Sequence, residues 1–346
     1  MPEPARAYRY FDLIVGGFVA VLLSGGCGQA DLRAVMYPES TPYADTDSMG
    51  VVPGAVVVLP VQARQDLVEN SAAVISRSQP DVVFTINDSG NEPVLFAVDT
   101  TGSDRGAWRV NGATNVDWEA ASSGPCATLS AGAPSVAGDC LYIGDTGDNE
   151  ARRPSRAIYR VAEPRAESPG YVGSLPAERL SYRYPDGPHD VEAMYVAPDG
   201  VVYLITKRPE RDRLGRLRPA LIFSLPRAAW DHVGDTEATL VDSLPIVPGS
   251  APGRVITDAS LSPDGRRLAV RTYAQIYVFA IDSATSRPHP GLTPAVCNIA
   301  FVEDVWGEGL TWYADAQRLL LTAEGLNAPM HVLACPPLPV AASPVR

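Results

Sequence analysis

The sequence predicts an all-β fold, a β-propeller of five blades, with six blades as the alternative. One observation is a hairpin at residues 188–207, in which two short apolar strands flank the turn Pro198-Asp199-Gly200. The hairpin recurs, more or less closely, at residues 69–91, 116–149, 256–273 and 307–325. A second observation is that the copies are not separated by helical stretches. Repeats of roughly 40 to 70 residues with several short strands each are typical of a radial β-fold.

Apolar runs between turn residues assign up to four strands to each blade. The predicted strands of blades 1 to 5 are 71–76, 82–87, 94–99 and 108–111; 117–121, 141–144, 157–161 and 179–184; 191–196, 201–206, 220–225 and 237–244; 257–262, 267–272, 275–281 and 296–301; and 309–313, 318–322 and 330–334. Blade 5 lacks an outer strand, and residues 54–61 are strand-like. We expect this segment to complete blade 5 and close the ring, because closure removes exposed sheet edges. A sixth blade would need residues 31–65 or an insertion.

The composition argues against a nucleic-acid partner. The 346-residue chain has 28 Lys and Arg against 40 Asp and Glu, a formal net charge of -12. Nucleic-acid binding depends on basic side chains that neutralise phosphates. The acidic surface is otherwise explained by solubility.

The N-terminus has the features of an export signal. Arginines precede an apolar run at residues 13–23, which is short for a membrane span and suits a secretory signal. The run leads to Cys27, and this segment resembles the lipobox of bacterial lipoproteins, whose cysteine carries the lipid. Ser24 stands where that pattern usually has Leu, and Asp12 lies at the start of the run. A soluble secreted protein, or one anchored by a retained helix, is the alternative.

These features divide the chain into a signal peptide at residues 1–27, a polar tether at 28–50 and one propeller domain at 51–346. We therefore expect an exported monomer, held at the bacterial envelope through a lipid on Cys27 or secreted. Membrane contact would be limited to that lipid.

The cysteine count agrees with export. Five cysteines leave four after Cys27 is set aside, and four cysteines allow three pairings. We favour Cys126 with Cys140, which closes an insertion within blade 2, and Cys297 with Cys335, which ties the last two blades. Four buried free thiols are the alternative, less expected in an exported chain.

Carboxylates recur at or near one position of the repeat, around the start of each inner strand. They are Glu69, Glu119, Glu192, Asp258 and Glu308, with Asp117 and Asp190 two residues before their glutamates. Inner strands line the axis of a propeller, so we expect these side chains to converge at one end. Two carboxylates about 6 Å apart repel by roughly 3 kcal/mol at an effective dielectric of about 20. The ring therefore needs protons, a cation such as Ca²⁺, or the basic side chains Lys207, Arg208 and Arg271.

The ends of the second strands add oxygen ligands on the same rim. Residues 87–90 (Asn-Asp-Ser-Gly) and 144–149 (Gly-Asp-Thr-Gly-Asp-Asn) combine acidic, amide and glycine residues. We predict metal ligation by Asp145 and Asp148 together with Glu69, Glu119, Glu192 and Glu308. We predict ligand contacts from Asn87, Asp88, Lys207 and Arg271. The alternative is that these Asp and Asn side chains only stabilise turns.

Other chemistries are less well supported. The four histidines lack the spacing of zinc ligands, and no Gly-x-Ser-x-Gly nucleophile motif is present. Trp118, Trp306 and Trp312 lie near the acidic positions, where they could stack on a ligand or pack between blades.

The chain resembles exported bacterial propellers of the phytase-like and SdiA-regulated kind. The residues that carry the resemblance are 87–90, 117–120, 144–149, 191–194 and 206–207, and residues 261–269 resemble the TolB-type propeller repeat. Phytase-like propellers imply Ca²⁺ and phosphoester hydrolysis, although a cluster of Lys and Arg for several phosphates is missing here.

Three functions therefore stand as predictions. The first is binding of Ca²⁺ and a small polar or phosphorylated ligand in the acidic axial pocket. The second is a calcium-dependent phosphoesterase in which Glu192 or Glu119 activates water. The third is an envelope scaffold that binds a protein partner.

Overall fold

Five β-sheets, each containing four antiparallel strands, are arranged as the blades of a β-propeller in a computed structural model of the chain. The structure describes residues 52–53, 55–61, 64–126, 139–207, 219–246, 255–300, 302 and 306–335. The predicted five-bladed fold is confirmed.

The strands of each blade are called inner, second, third and outer, from the axis to the rim. In blades 1 to 5 they are Asn70–Ile75, Val82–Asn87, Val94–Asp99 and Asp104–Asn111; Trp118–Pro125, Asp139–Asp145, Arg156–Ala162 and Glu178–Arg183; Val191–Val196, Val202–Thr206, Ala220–Leu225 and Thr239–Leu244; Ile256–Leu261, Arg267–Thr272, Gln275–Asp282 and Ala295–Asn298; and Gly309–Trp312, Arg318–Thr322, Pro329–Ala334 and Ala55–Val61. A short strand, Arg287–Pro288, pairs with the third strand of blade 4, and a 3-10 helix spans Arg227–Asp231.

Hydrophobic clusters fill the space between every pair of neighbouring blades, including the last and the first. The cluster that closes the ring joins Phe96 of blade 1 to Leu320 and Met330 of blade 5. Each blade thus packs on both faces. This explains why inner and second strands such as Val82–Asn87 read as continuous apolar runs instead of alternating with polar residues.

The expectation for the N-terminal strand is correct. Ala55–Val61 is the outer strand of blade 5, antiparallel to Pro329–Ala334, with Val57 opposite Val332. Every sheet found among the described residues belongs to one of the five blades, so none forms a sixth.

The outer edges of three blades carry an added parallel strand that the sequence did not predict. Tyr171–Pro176, from the chain of blade 2, lies along the outer strand of blade 1. Thr236–Glu237, from the chain of blade 3, lies along blade 2, and Val52–Pro53 lies along blade 4. Each addition covers backbone groups that an outer strand would leave exposed.

Two disulfide bonds have the predicted pairing. Cys126 bonds to Cys140 with a Cα–Cα distance of 5.0 Å, and Cys297 bonds to Cys335 with a Cα–Cα distance of 5.9 Å. Such bonds persist in oxidising compartments, which agrees with export. The predicted signal, Cys27 and the tether lie outside the described residues, and so does Arg208, one of the basic residues predicted to face the carboxylates. Within the described ranges, no helix has the length and apolarity needed to cross a bilayer.

Candidate functional site

One end of the propeller axis collects the start of each inner strand and the end of each second strand, because these two strands are antiparallel. Side chains from blades 1, 2, 3 and 5 meet there. We call this group the axial acidic site; it consists of Asp88, Asp117, Glu119, Glu192, Lys207 and Glu308.

Lys207 lies among three of the predicted glutamates. Its ammonium forms an ion pair with Glu192, and the side chains of the two residues are only 14% and 1% exposed. Lys207 also attracts the carboxylates of Glu119 and Glu308, an interaction that lowers the pKa of each. Burial outweighs that attraction, so the pKa of both glutamates is raised above the usual value. One lysine therefore does not neutralise all three carboxylates.

Asp88, Asp117 and Glu119 form the tightest acidic group. Each offers a carboxylate oxygen, and the three oxygens lie within 4.8 Å of one another. Burial, followed by repulsion from Asp88 and Asp190, raises the pKa of Asp117 to about 7. Burial and Asp88 likewise raise the pKa of Glu119, although Ser71 donates a hydrogen bond of 2.6 Å to its Oε2.

This spacing is compatible with one Ca²⁺ ion. Ca²⁺ binds oxygen ligands at about 2.3–2.6 Å, so two ligands on opposite sides of the ion are about 5 Å apart. The three carboxylates supply between three and six of the six to eight oxygens that Ca²⁺ takes. Water or a bound molecule would have to complete the shell.

Gly147 holds the loop at residues 144–149 against these acids. The amides of Thr146 and Gly147 both donate to the backbone oxygen of Asp117 at 3.1 Å. A Cβ atom added to Gly147 would lie 2.6 Å from the carboxylate of Asp117 and 2.6 Å from Cγ of Glu119. The absence of a side chain here lets the loop backbone contact both residues.

The two predicted metal ligands of this loop have arginine partners. Asp145 accepts a 2.7 Å hydrogen bond from Arg153, and Asp148 is paired with the fully buried Arg156. Asp148 also accepts bonds from the amides of Arg152 and Arg153 at 2.9 and 2.7 Å. Both carboxylates thus hold the loop in place.

Two predicted residues of blade 1 have local partners. Glu69 is exposed and accepts a 2.6 Å hydrogen bond from Asn91. Asn87 is buried, accepts from the amide of Glu69 at 3.1 Å and donates to the backbone oxygen of Asp66 at 2.7 Å. Its amide stabilises the turn.

Asp258 and Arg271 lie between blades 4 and 5, away from solvent. Asp258 is fully buried and accepts from the amides of Ala259 and Leu310 at 2.7 and 2.6 Å. Arg271 is also fully buried and donates to the backbone oxygens of Gly309 and Thr322, both at 2.7 Å. The carboxylate and the guanidinium both tie one blade to the next.

Two residues next to the axial acidic site were not predicted from the sequence. Tyr273 donates a 2.7 Å hydrogen bond to Glu308, and burial raises the pKa of Glu324 to about 7, assisted by repulsion from Glu308 and Asp88. Tyr273 could have been predicted from its place in the repeat, because Asp88, Lys207 and Tyr273 each directly follow the second strand of their blade.

Of the three tryptophans near the acidic positions, two are buried and one is exposed. Trp118 and Trp312 are buried, and their indole N–H groups donate to backbone oxygens at 2.9 Å. Trp306 is 54% exposed and lies edge-on to Tyr273, with a centroid distance of 6.0 Å. Of the three, only Trp306 is placed to meet a ligand of the axial acidic site.

No protein-family description matches the sequence, and no curated protein does. Among solved structures, the chain is similar to a glutaminyl cyclase from Myxococcus xanthus, with a TM-score of 0.46 and 12% identity over 83% of this chain and 100% of that chain. It is also similar to a luciferin-regenerating enzyme, with a TM-score of 0.41 and 9% identity over 82% of this chain and 97% of that chain. A gluconolactonase from Xanthomonas campestris has a TM-score of 0.39 and 13% identity over 82% of this chain and 90% of that chain. At these identities and scores we take no activity, substrate or ligand from the three proteins.

The chain is thus a five-bladed β-propeller with two disulfide bonds. One end of its axis holds buried carboxylates around a single lysine among the residues described there.

Proposed function

We propose that this propeller is an exported, lipid-anchored protein that binds Ca²⁺ and a small polar or phosphorylated ligand at the axial acidic site. The observation that carries the proposal is the group of three carboxylate oxygens, from Asp88, Asp117 and Glu119, within 4.8 Å of one another. Hard oxygen donors at that spacing suit Ca²⁺.

Electrostatics supports a cation at this place. Asp88 and Asp117 repel each other, and Lys207 is already paired with Glu192. A divalent ion would replace the proton that Asp117 otherwise holds near neutral pH, so bound Ca²⁺ would stabilise the group of acids.

The ligand would complete the coordination shell of the ion. A hydroxyl or phosphate oxygen can take the positions that three carboxylates leave free. The exposed ring of Trp306 offers a surface on which such a ligand could stack. The ligand would then lie on the side of the site where Tyr273 and Trp306 meet.

Thermal unfolding with Ca²⁺ or with chelator tests the metal part. At a hundred times the dissociation constant, a ligand that binds only the native state adds about 2.7 kcal/mol, which is a rise of about 5 °C for a domain of this size. Asp117→Asn and Glu119→Gln should each remove most of the rise. Glu237→Gln, which alters an exposed ion pair with Arg183, should keep it. An equal rise in all four proteins, or none in the parent protein, would contradict the proposal.

A calcium-dependent phosphoesterase is the second candidate. The observation that favours it is Glu324, whose pKa is raised to about 7 by burial and which lies outside the three-carboxylate group. A carboxylate with that pKa is suited to take a proton from water near neutral pH. Hydrolysis of generic phosphomonoesters and phosphodiesters should then require Ca²⁺ and be lost in Glu324→Gln and in Glu192→Gln. If no phosphoester is hydrolysed, the result favours a binding module over an enzyme. If variants of the axial acidic site also leave the Ca²⁺-induced rise unchanged, it favours a scaffold.

Lipid attachment is tested separately. Metabolic labelling with a radioactive fatty acid should mark the full-length chain and not Cys27→Ala. An equally labelled variant would exclude Cys27 as the acylated residue.

A further inference from the structure

A cavity of about 250 Å³ lies at the end of the axis opposite the axial acidic site. The later halves of four inner strands, from blades 1, 2, 4 and 5, line it together with the turns that follow. Ser123 in this cavity comes four residues after Glu119 on one inner strand, which separates the two ends by roughly 13 Å. The cavity is therefore distinct from the proposed Ca²⁺ site.

The charge of the cavity differs from that of the axial acidic site. Among the described residues that line it, only Arg77 has an ionisable side chain, and that residue is exposed. The nearby buried Glu163 is occupied by hydrogen bonds from Ser76, Ser78 and Gln79 at 2.6, 3.0 and 2.8 Å. None of the described residues that line the cavity therefore offers a carboxylate to a cation.

Hydroxyl groups supply most of the polar side chains of the lining. Ser122 accepts from the amide of Val196 at 3.2 Å, and Thr311 accepts from the amide of Ile75 at 3.0 Å, so these two join neighbouring blades. Ser123 and Ser260 are half-buried, and within the described chain their hydroxyls have no hydrogen-bond partner. Both remain available to a bound molecule.

The backbone adds further donors and acceptors. Each inner strand is hydrogen-bonded to a sheet partner on one side only, so its other edge faces the axis. Such an edge presents N–H and C=O groups that water or a ligand must satisfy. Leu261 and Trp312 contribute apolar surface beside these groups.

We propose that this cavity binds a small uncharged polyhydroxylated molecule, of the size of a monosaccharide or a cyclic polyol. A volume of about 250 Å³ is at the small end of the range for ligand pockets, which suits a single ring. Hydroxyl groups on a carbon ring match a lining that alternates hydrogen-bonding groups with apolar surface, and the scarcity of charge disfavours ions. The proposal does not depend on Ca²⁺ binding at the other end.

Saturation-transfer NMR on the full-length protein is the test, with D-glucose, D-ribose and myo-inositol as neutral probes and D-glucuronate as the charged one. At least one neutral probe should receive saturation and titrate to a measurable dissociation constant. Ser123→Val/Ser260→Val should weaken that binding about tenfold or more, since two hydrogen-bonding hydroxyls are removed. Glu237→Gln, which alters an exposed ion pair outside both sites, should bind as the parent protein does.

A second variant, at the mouth of the cavity, keeps the proposal testable if the double variant misfolds. Ala314→Leu enlarges an exposed residue at the cavity edge and should also block binding while the thermal midpoint stays unchanged. The proposal is overturned if no neutral probe binds, or if binding persists in both the double variant and Ala314→Leu. It is equally overturned if glucuronate binds best and Arg77→Gln abolishes that binding, because the cavity would then be an anion site.

Discussion

Replacing Lys207 by methionine would remove the positive charge from the centre of the axial acidic site while keeping an apolar side chain of similar length. Glu192, which is 1% exposed, would then be a buried carboxylate without its cation. Apart from Lys207, neither oxygen of Glu192 has a hydrogen-bond partner among the described residues. Breaking a buried ion pair at one partner costs about 3–5 kcal/mol. We expect the upper part of this range for Lys207→Met, because Glu119 and Glu308 lose the same attraction.

Urea unfolding at pH 7.5 measures this cost as a change in the free energy of unfolding. The double variant Lys207→Met/Glu192→Gln should recover most of the loss, since the amide is neutral. The loss in Lys207→Met should also be smaller at pH 5.5, where an unpaired carboxyl more readily holds a proton. Arg318→Met is the matched control: its pair with Asp315 is about half exposed, so we expect a loss below about 1 kcal/mol.

Two results would refute this reasoning. One is a loss below about 1 kcal/mol in Lys207→Met, which would mean that solvent or another cation already compensates Glu192. The other is a double variant as unstable as the single one, which would assign the loss to packing of the lysine stem.

Three further predictions concern the same domain. Asp117 and Glu324 both have a pKa of about 7 in the folded protein against about 4 when unfolded, so the native state binds more protons. Without Ca²⁺, the free energy of unfolding measured in urea should therefore fall from pH 5 to pH 8. If the fall persists in Asp117→Asn/Glu324→Gln, other groups cause it. Gly147→Ala should displace the acids it contacts and reduce the Ca²⁺-induced rise in thermal midpoint, while Gly173→Ala, with open space around it, should not; identical rises would contradict the close approach. Cys297→Ser opens a disulfide with a sequence separation of 38 and should cost roughly 4 kcal/mol in urea unfolding, and a cost near zero would mean that the bond contributes no restraint.

The architecture was predictable because each blade packs on both faces. Continuous apolar runs between turn residues therefore marked most strands correctly, and Val191–Val196 and Val82–Asn87 have the predicted bounds. The added parallel strands were not predictable. Tyr171–Pro176 is largely exposed and carries no apolar pattern, since its pairing depends on backbone groups of another blade.

The site was only partly predictable from repeat equivalence. Equivalent positions in the repeat predict that Glu119, Glu192 and Glu308 lie close together, and in the structure all three surround Lys207. Repeat position does not separate these glutamates from Asp258. Its carboxylate has a similar position but accepts hydrogen bonds from backbone amides of its own blade and of the next blade. Which carboxylate faces the axis depends on side-chain hydrogen bonds between blades, and those bonds have no signature in a single sequence.

The outer strand of blade 5 has a consequence for the order in which the molecule can be completed. Val57 is synthesised about 275 residues before Val332, the residue it faces. At 5–20 residues per second the interval is roughly 14 to 55 seconds, during which Ala55–Val61 lacks its partner strand in blade 5. Four blades can assemble as their residues emerge, but the fifth requires both ends of the domain at once. Blade 5 is therefore complete only when Pro329–Ala334 has been made and pairs with Ala55–Val61.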